Sequence, residues 1–119
     1  MPKVASHSIF HGMSDMFPGQ DEKLVSADIT FSPKEQARLL PHDPGVYLMK
    51  DASGTVIYVG KAKDLRKRVT SYFLSGRNIK TEALVRKIVS IDHIIVGNAY
   101  EALILENNLI KKFSPHYNI

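Results

Sequence analysis

Gly45-Val46-Tyr47-Leu48-Met49-Lys50, then Asp51-Ala52-Ser53-Gly54, then Val56-Ile57-Tyr58-Val59-Gly60-Lys61: this stretch decides the fold. Its outer segments are rich in β-branched and aromatic residues, and a polar turn lies between them. Gly54 can take positive φ, so the spacing predicts a β-hairpin over residues 45–61. Gly60, inside the second strand, lets the backbone approach another group closely, and Lys61 sets a cation at the strand end.

The flanking sequence reads as helices. Ser32-Pro33-Lys34-Glu35 is a helix start: Ser32 can cap, Pro33 suits the first turn and Glu35 completes a capping box. That helix should stop before Pro41, and Asp43-Pro44-Gly45 is a turn. Beyond the hairpin, residues 64–74 predict a helix with Leu65, Val69, Tyr72 and Phe73 on one face, closed by a loop over 75–78. Residues 81–89 predict another, with Leu84, Val85 and Ile88 inward. The β-branched run 93–96 is a third strand. Asn98-Ala99-Tyr100-Glu101 opens a helix over 100–112 that Ser114-Pro115 ends. Helix, hairpin, two helices, strand and helix together predict an α/β (α+β) fold, a three-stranded sheet covered by helices. Residues 1–30 show no period and read as a flexible N-terminal extension before a domain of residues 31–119.

Bulk composition narrows the class. At 119 residues the chain holds one domain with a modest core. No apolar run approaches the roughly 20 residues that span a bilayer, and no apolar stretch follows a basic start as in a secretory signal. The absence of cysteine excludes disulfides and thiolate metal sites and fits a cytoplasmic protein. Net charge is +4, but residues 61–80 hold seven Lys or Arg (Lys61, Lys63, Arg66, Lys67, Arg68, Arg77 and Lys80) against Asp64 alone. That is +6 locally, leaving −2 elsewhere. It is either a solvated basic face or a footprint for a polyanion.

Five side chains could carry chemistry. Tyr47 and Tyr58 are either cross-strand aromatics or reactive phenols. A free phenol, with a pKa near 10, is a poor base at neutral pH, and a nearby lysine or metal would favour its ionised form or take its proton onward. Arg68 and Tyr72 lie four apart on one helix face beside the apolar stripe. Arg68 either covers the core with its stem or grips a phosphate with two parallel hydrogen bonds. Glu106 has Ala102, Leu103, Leu109 and Ile110 as its helical neighbours, all apolar. A carboxylate there needs a cationic partner or a metal, and Mg²⁺ is often held by one or two carboxylates plus water and phosphate. Glu101 is explained by capping. Histidines do not cluster at ligand spacing, and no Gly-rich phosphate loop is present.

These residues stand in an order that resembles the GIY-YIG nucleases, and within them the N-terminal endonuclease domain of the UvrC excinucleases. The matching text is Pro44-Gly45-Val46-Tyr47, Ile57 through Val69, Ser71-Tyr72-Phe73, Glu101 through Lys112, and Pro115-His116-Tyr117-Asn118. It covers residues 34–119. Both triplets carry valine in place of isoleucine, a conservative exchange in a strand. The resemblance implies a GIY-YIG endonuclease fold, a small three-stranded antiparallel sheet flanked by helices. It implies one divalent cation, Mg²⁺ or Mn²⁺, on Glu106. Tyr58 becomes the general base or its relay, aided by Lys61, and Arg68 holds the scissile phosphate. Tyr47 and Tyr72 line the site, and Asn118 orders it. The DNA-binding set is Lys61, Lys63, Arg66, Lys67, Arg68, Arg77 and Lys80. The substrate implied is damaged double-stranded DNA, cut 3′ of a lesion in nucleotide excision repair with a UvrB-type partner. The chain is expected to be an excised domain or a standalone relative, and monomeric when isolated. A standalone structure-specific nuclease and a non-catalytic DNA-binding module are the alternatives on the same fold.

Overall fold

The computed structural model describes residues 23–74 and 76–118. Its elements are β1 (Leu24–Val25), α1 (Pro33–Arg38), β2 (Gly45–Lys50), β3 (Val56–Ala62), α2 (Leu65–Thr70), a 3₁₀ turn (Ser71–Phe73), α3 (Ile79–Lys87), β4 (Ser90–Ile95), α4 (Ala99–Phe113) and a second 3₁₀ turn (His116–Asn118).

The hairpin forms as its turn chemistry requires. Gly54, at φ 83°, donates its N–H to the Asp51 carbonyl at 3.0 Å. The β2–β3 register sets Tyr47 opposite Gly60 and Met49 opposite Tyr58, with an irregularity after Met49. β4 pairs antiparallel with the other edge of β2, which makes β2 a central strand.

The sheet has four strands, in the order β1-β4-β2-β3, and not the three expected. The addition is β1, where Leu24 pairs with Ile94 and Val25 with His93. Two residues are too short for an alternation to register in a sequence window. Their placement is fixed from outside instead. The Ala27 N–H donates to Asp92 Oδ1 at 2.9 Å, and Asp92 Oδ2 takes the buried Lys50 ammonium at 2.6 Å. β1 falls within residues 1–30, the stretch read as a flexible extension; residues 1–22 of it lie outside the described residues.

Period-two alternation divides β2 between two cores. Val46 and Leu48 face α4 and pack with Val59, Ile94, Leu105 and Leu109. Leu105 and Leu109 are fully buried, and burial of such side chains stabilises by roughly 1.5–3 kcal/mol each. Tyr47 and Met49 face the other way, onto Leu65, Val69, Tyr72, Leu84 and Ile88 from α2, its 3₁₀ extension and the α3 end. With helices on both faces, every residue of β2 is buried. No helix among the described residues is long and apolar enough to cross a membrane.

Candidate active site

Three tyrosines meet on the face opposite α4. Tyr47 comes from β2, Tyr58 from β3 and Tyr72 from the 3₁₀ turn. Their ring centroids stand 6.2 Å (Tyr47–Tyr58), 5.9 Å (Tyr47–Tyr72) and 6.2 Å (Tyr58–Tyr72) apart. Tyr47 reaches this position because Gly60 has no side chain: a Cβ there would fall on the Tyr47 ring and hydroxyl. The Tyr47 and Tyr72 hydroxyls hydrogen-bond at 2.7 Å.

Arg68 reaches the cluster from α2. Asp64 caps that helix by accepting from the Lys67 N–H at 3.0 Å, and itself pairs with His42 Nδ1 at 2.9 Å. The Leu65 N–H donates to the Asp43 carbonyl, and Arg66 Nε to the Leu40 carbonyl at 2.6 Å, so the helix start is tied to the preceding turn. One turn on, the Arg68 guanidinium lies 5.5 Å from the centre of the Tyr72 ring, within cation–π range.

Electrostatics set the protonation of this group. Burial, above all, pushes the Tyr58 phenol up to about 12, and the Tyr72 ring and the Glu106 charge add to it. Burial likewise raises Tyr47 and Tyr72, while Arg68 is held more basic than usual, chiefly by the Tyr47 phenol. At neutral pH the cluster therefore presents neutral phenols beside a fixed guanidinium cation.

Glu106 sits two turns into α4, between buried Ala102 and buried Leu109, and is itself half-buried. Among the described residues it makes no hydrogen bond and no ion pair. Its charge nevertheless reaches Tyr58. A carboxylate kept partly out of water without a protein partner fits a hard cation. No group of three or more His, Cys, Asp or Glu that could hold a metal occurs among the described residues. A cation at this place would thus have Glu106 as its protein carboxylate, with water and phosphate completing its shell.

Two open clefts adjoin at Arg68 and Ser71, which line both. One, of about 540 Å³, is lined by Tyr58, Tyr72, Leu74, Lys80 and Tyr117 as well. The other, of about 860 Å³, carries Lys61, Lys63 and Lys67. Lys61 therefore does not share a cleft with Tyr58. The two are three apart on one strand, so alternation sends their side chains to opposite faces. Of the expected DNA-binding set, Arg66 is engaged with the Leu40 carbonyl, and Arg77 with Glu82 (Nε to Oε1, 2.8 Å) and the Leu74 carbonyl.

Asn118 is a clamp and not part of the tyrosine cluster. Its Oδ1 accepts from the Val59 N–H at 2.9 Å and its Nδ2 donates to the Val59 carbonyl at 2.8 Å. It thereby satisfies the outer edge of β3 beside Tyr58. Tyr117, Asn78 and Thr81 also line the first cleft, though sequence reasoning assigned them nothing. For Tyr117 the only signal was an aromatic next to Asn118.

Residues 43–119 match the model of the UvrC-like GIY-YIG domain family. The UvrABC system protein C of Symbiobacterium thermophilum is 58% identical over 88 residues, 72% of this chain and 14% of that protein. Its counterpart in Desulfatibacillum aliphaticivorans is 61% identical over 82 residues, 67% of this chain and 14% of that protein. The chain thus spans a small part of the length of these curated relatives. Among solved structures, the GIY-YIG N-terminal endonuclease domain of UvrC from Thermotoga maritima, bound to its catalytic divalent cation magnesium, matches with a TM-score of 0.67 and 41% identity. That match covers 72% of this chain and 94% of the other. Point mutants of the same domain, three with phenylalanine for a tyrosine and one with alanine for an asparagine, are also bound to the catalytic divalent cation.

Proposed function

Because the chain belongs to the UvrC-like GIY-YIG domain family, we propose that it is a divalent-metal-dependent DNA endonuclease domain that hydrolyses a phosphodiester, making the 3′ incision of nucleotide excision repair. The observation that carries this reading is Glu106, a half-buried carboxylate with no hydrogen-bond or ion-pair partner among the described residues, whose charge acts on Tyr58, one of three tyrosines clustered beside Arg68.

Glu106 holds one cation, Mg²⁺ or Mn²⁺. Retention of the cation in the Tyr→Phe and Asn→Ala forms of the Thermotoga maritima domain supports a carboxylate as the ligand, not a phenol or an amide. When bound, the cation supplies Lewis-acid stabilisation of the charge that develops on the phosphate. Arg68 binds the scissile phosphate and shares that task with its fixed guanidinium. Water attacks in line, forming one P–O bond as the opposite one breaks. With a pKa near 12, Tyr58 keeps its proton at neutral pH. It serves as a relay, accepting the water's proton at its oxygen as its own passes to solvent in the open cleft, and solvent protonates the departing oxygen; it is not a standing phenolate base. Tyr47 and Tyr72, joined by their hydroxyls, fix the position of Tyr58 and Arg68. Asn118 acts as a positioning residue through Val59.

Lys61, Lys63 and Lys67 contact neighbouring phosphates in the second cleft, where Lys61 has a role apart from Tyr58. Lys80 does so in the first. Arg66 and Arg77 serve the fold. The substrate is damaged duplex DNA, delivered by a UvrB-type partner in the cytoplasm. The test is a nicking assay on a pre-nicked, lesion-bearing duplex with Mg²⁺ or Mn²⁺. Glu106→Ala and Tyr58→Phe should each abolish cutting while folding and DNA affinity stay near wild type. Cutting at the wild-type rate by either variant removes that residue from the mechanism.

A further inference from the structure

Leu74 and Ile79 are out of place as surface residues. Ile79 is 90% exposed, the most of any large apolar side chain among the described residues, and Leu74 is 64% exposed. Neither serves the core. Both flank the tyrosine cleft: Leu74 lines it together with Tyr58 and Arg68, and Ile79 stands between Asn78 and Lys80, which also line it. The residues before and after Ile79 are braced. Arg77 bridges the Leu74 carbonyl (2.8 Å) and Glu82, and Asn78 Oδ1 caps α3 by accepting from the Thr81 N–H at 2.8 Å. Two aliphatic side chains are thus held out beside cations suited to phosphate. Phosphate offers them nothing favourable. The apolar part of a nucleic acid is its base stack, and leucine and isoleucine serve as wedges between base steps in proteins that kink DNA.

We propose that Leu74 and Ile79 form a wedge that enters the base stack beside the scissile phosphate and selects DNA whose stacking is already weakened. The proposal rests on the nuclease reading for its place in the reaction. Its physical core is the unstacking of a base on binding, which can be read without cutting. Unstacking costs a few kcal/mol per step in sound duplex and less at damaged or mismatched positions. The wedge would therefore discriminate between them without reading sequence.

The test uses the whole 119-residue chain and a nicked duplex with 2-aminopurine next to the nick, with Mg²⁺ and in a Glu106→Ala background so that binding is read without cleavage. Binding, followed by anisotropy, should be accompanied by a rise in 2-aminopurine fluorescence. The pair Leu74→Ser with Ile79→Ser should lose most of that rise, and Leu74→Met with Ile79→Met should keep it. With Glu106 restored, the serine pair should cut duplex with two mismatches at the cut about tenfold more slowly and sound duplex within about twofold of wild type, so that the preference for weakened stacking is lost, the tenfold step corresponding to about 1.4 kcal/mol of lost wedge contact. Binding without a fluorescence rise, or an equal rise in the serine pair, overturns the wedge. Absence of cutting by the Glu106 protein overturns the nuclease reading while leaving the fluorescence result to decide the wedge. Absence of DNA binding overturns both.

Discussion

Replacing Gly60 with alanine should disable the site through one methyl group. Gly60 lies in a strand and does not need positive φ, so the backbone tolerates alanine. The obstacle is Tyr47, whose ring carbon and hydroxyl occupy the space a Cβ would take. Tyr47 is 1% exposed and cannot swing into solvent. Overpacking of this kind costs about 1–3 kcal/mol. If the ring shifts, the Tyr47–Tyr72 hydrogen bond breaks and leaves buried hydroxyls unpaired, which adds about 1–3 kcal/mol. The expected loss is then about 2–6 kcal/mol, a large share of the roughly 5–15 kcal/mol typical of a domain. Urea unfolding measures this loss, and the nicking assay measures the loss of cutting. Gly54→Ala is the control. That glycine, at φ 83°, has nothing within 4 Å of an added Cβ, so its cost is confined to the backbone, about 1–2 kcal/mol, with cutting unchanged. A Gly60→Ala protein within about 0.5 kcal/mol of wild type, cutting at the normal rate, would refute the reasoning.

Two further outcomes follow from the buried polar groups. The Tyr58 phenol is raised from its ordinary value of 10.0 to about 12, so between those pH values the folded chain keeps a proton that the unfolded chain has lost. That stabilisation is complete below pH 10 and declines as pH rises toward 12; urea titrations across this range should show a fall that is shallower in Tyr58→Phe. Lys50→Met strands the Asp92 carboxylate, which is almost fully buried and anchors Ala27 through its other oxygen. The expected loss is about 3–5 kcal/mol by urea unfolding, and a loss below about 1 kcal/mol would show that the pair contributes little.

Much of the local structure was legible because the rules that fix it act over a few residues. Ser32 and Asn98 cap their helices by accepting from the N–H groups of Glu35 and Glu101, as their spacing implied. Glu106 stood out because apolar residues surround it at helical spacing. The separation of Lys61 from Tyr58 is also legible, since a period of two puts residues three apart on opposite faces of a strand. Other departures were not legible. The basic run 61–80 gave no sign that Arg66 and Arg77 are engaged by the Leu40 carbonyl and by Glu82. β1 carries no pattern of its own and exists because β4 and Asp92 receive it.

By itself, then, the sequence determined the hairpin, the helices and the five side chains most suited to chemistry, since turn residues, caps and hydrophobic periods are encoded within a turn or two of chain. Tertiary structure alone decided that Tyr72 meets Tyr47 across 25 positions and that Asn118 grips Val59 across 59. Packing against the face of the central strand β2 brings the first pair together, and docking of the C-terminal turn on the open edge of β3 brings the second. Hydrogen bonds between them carry no local pattern, because their geometry is set by the sheet and not by neighbours in the chain.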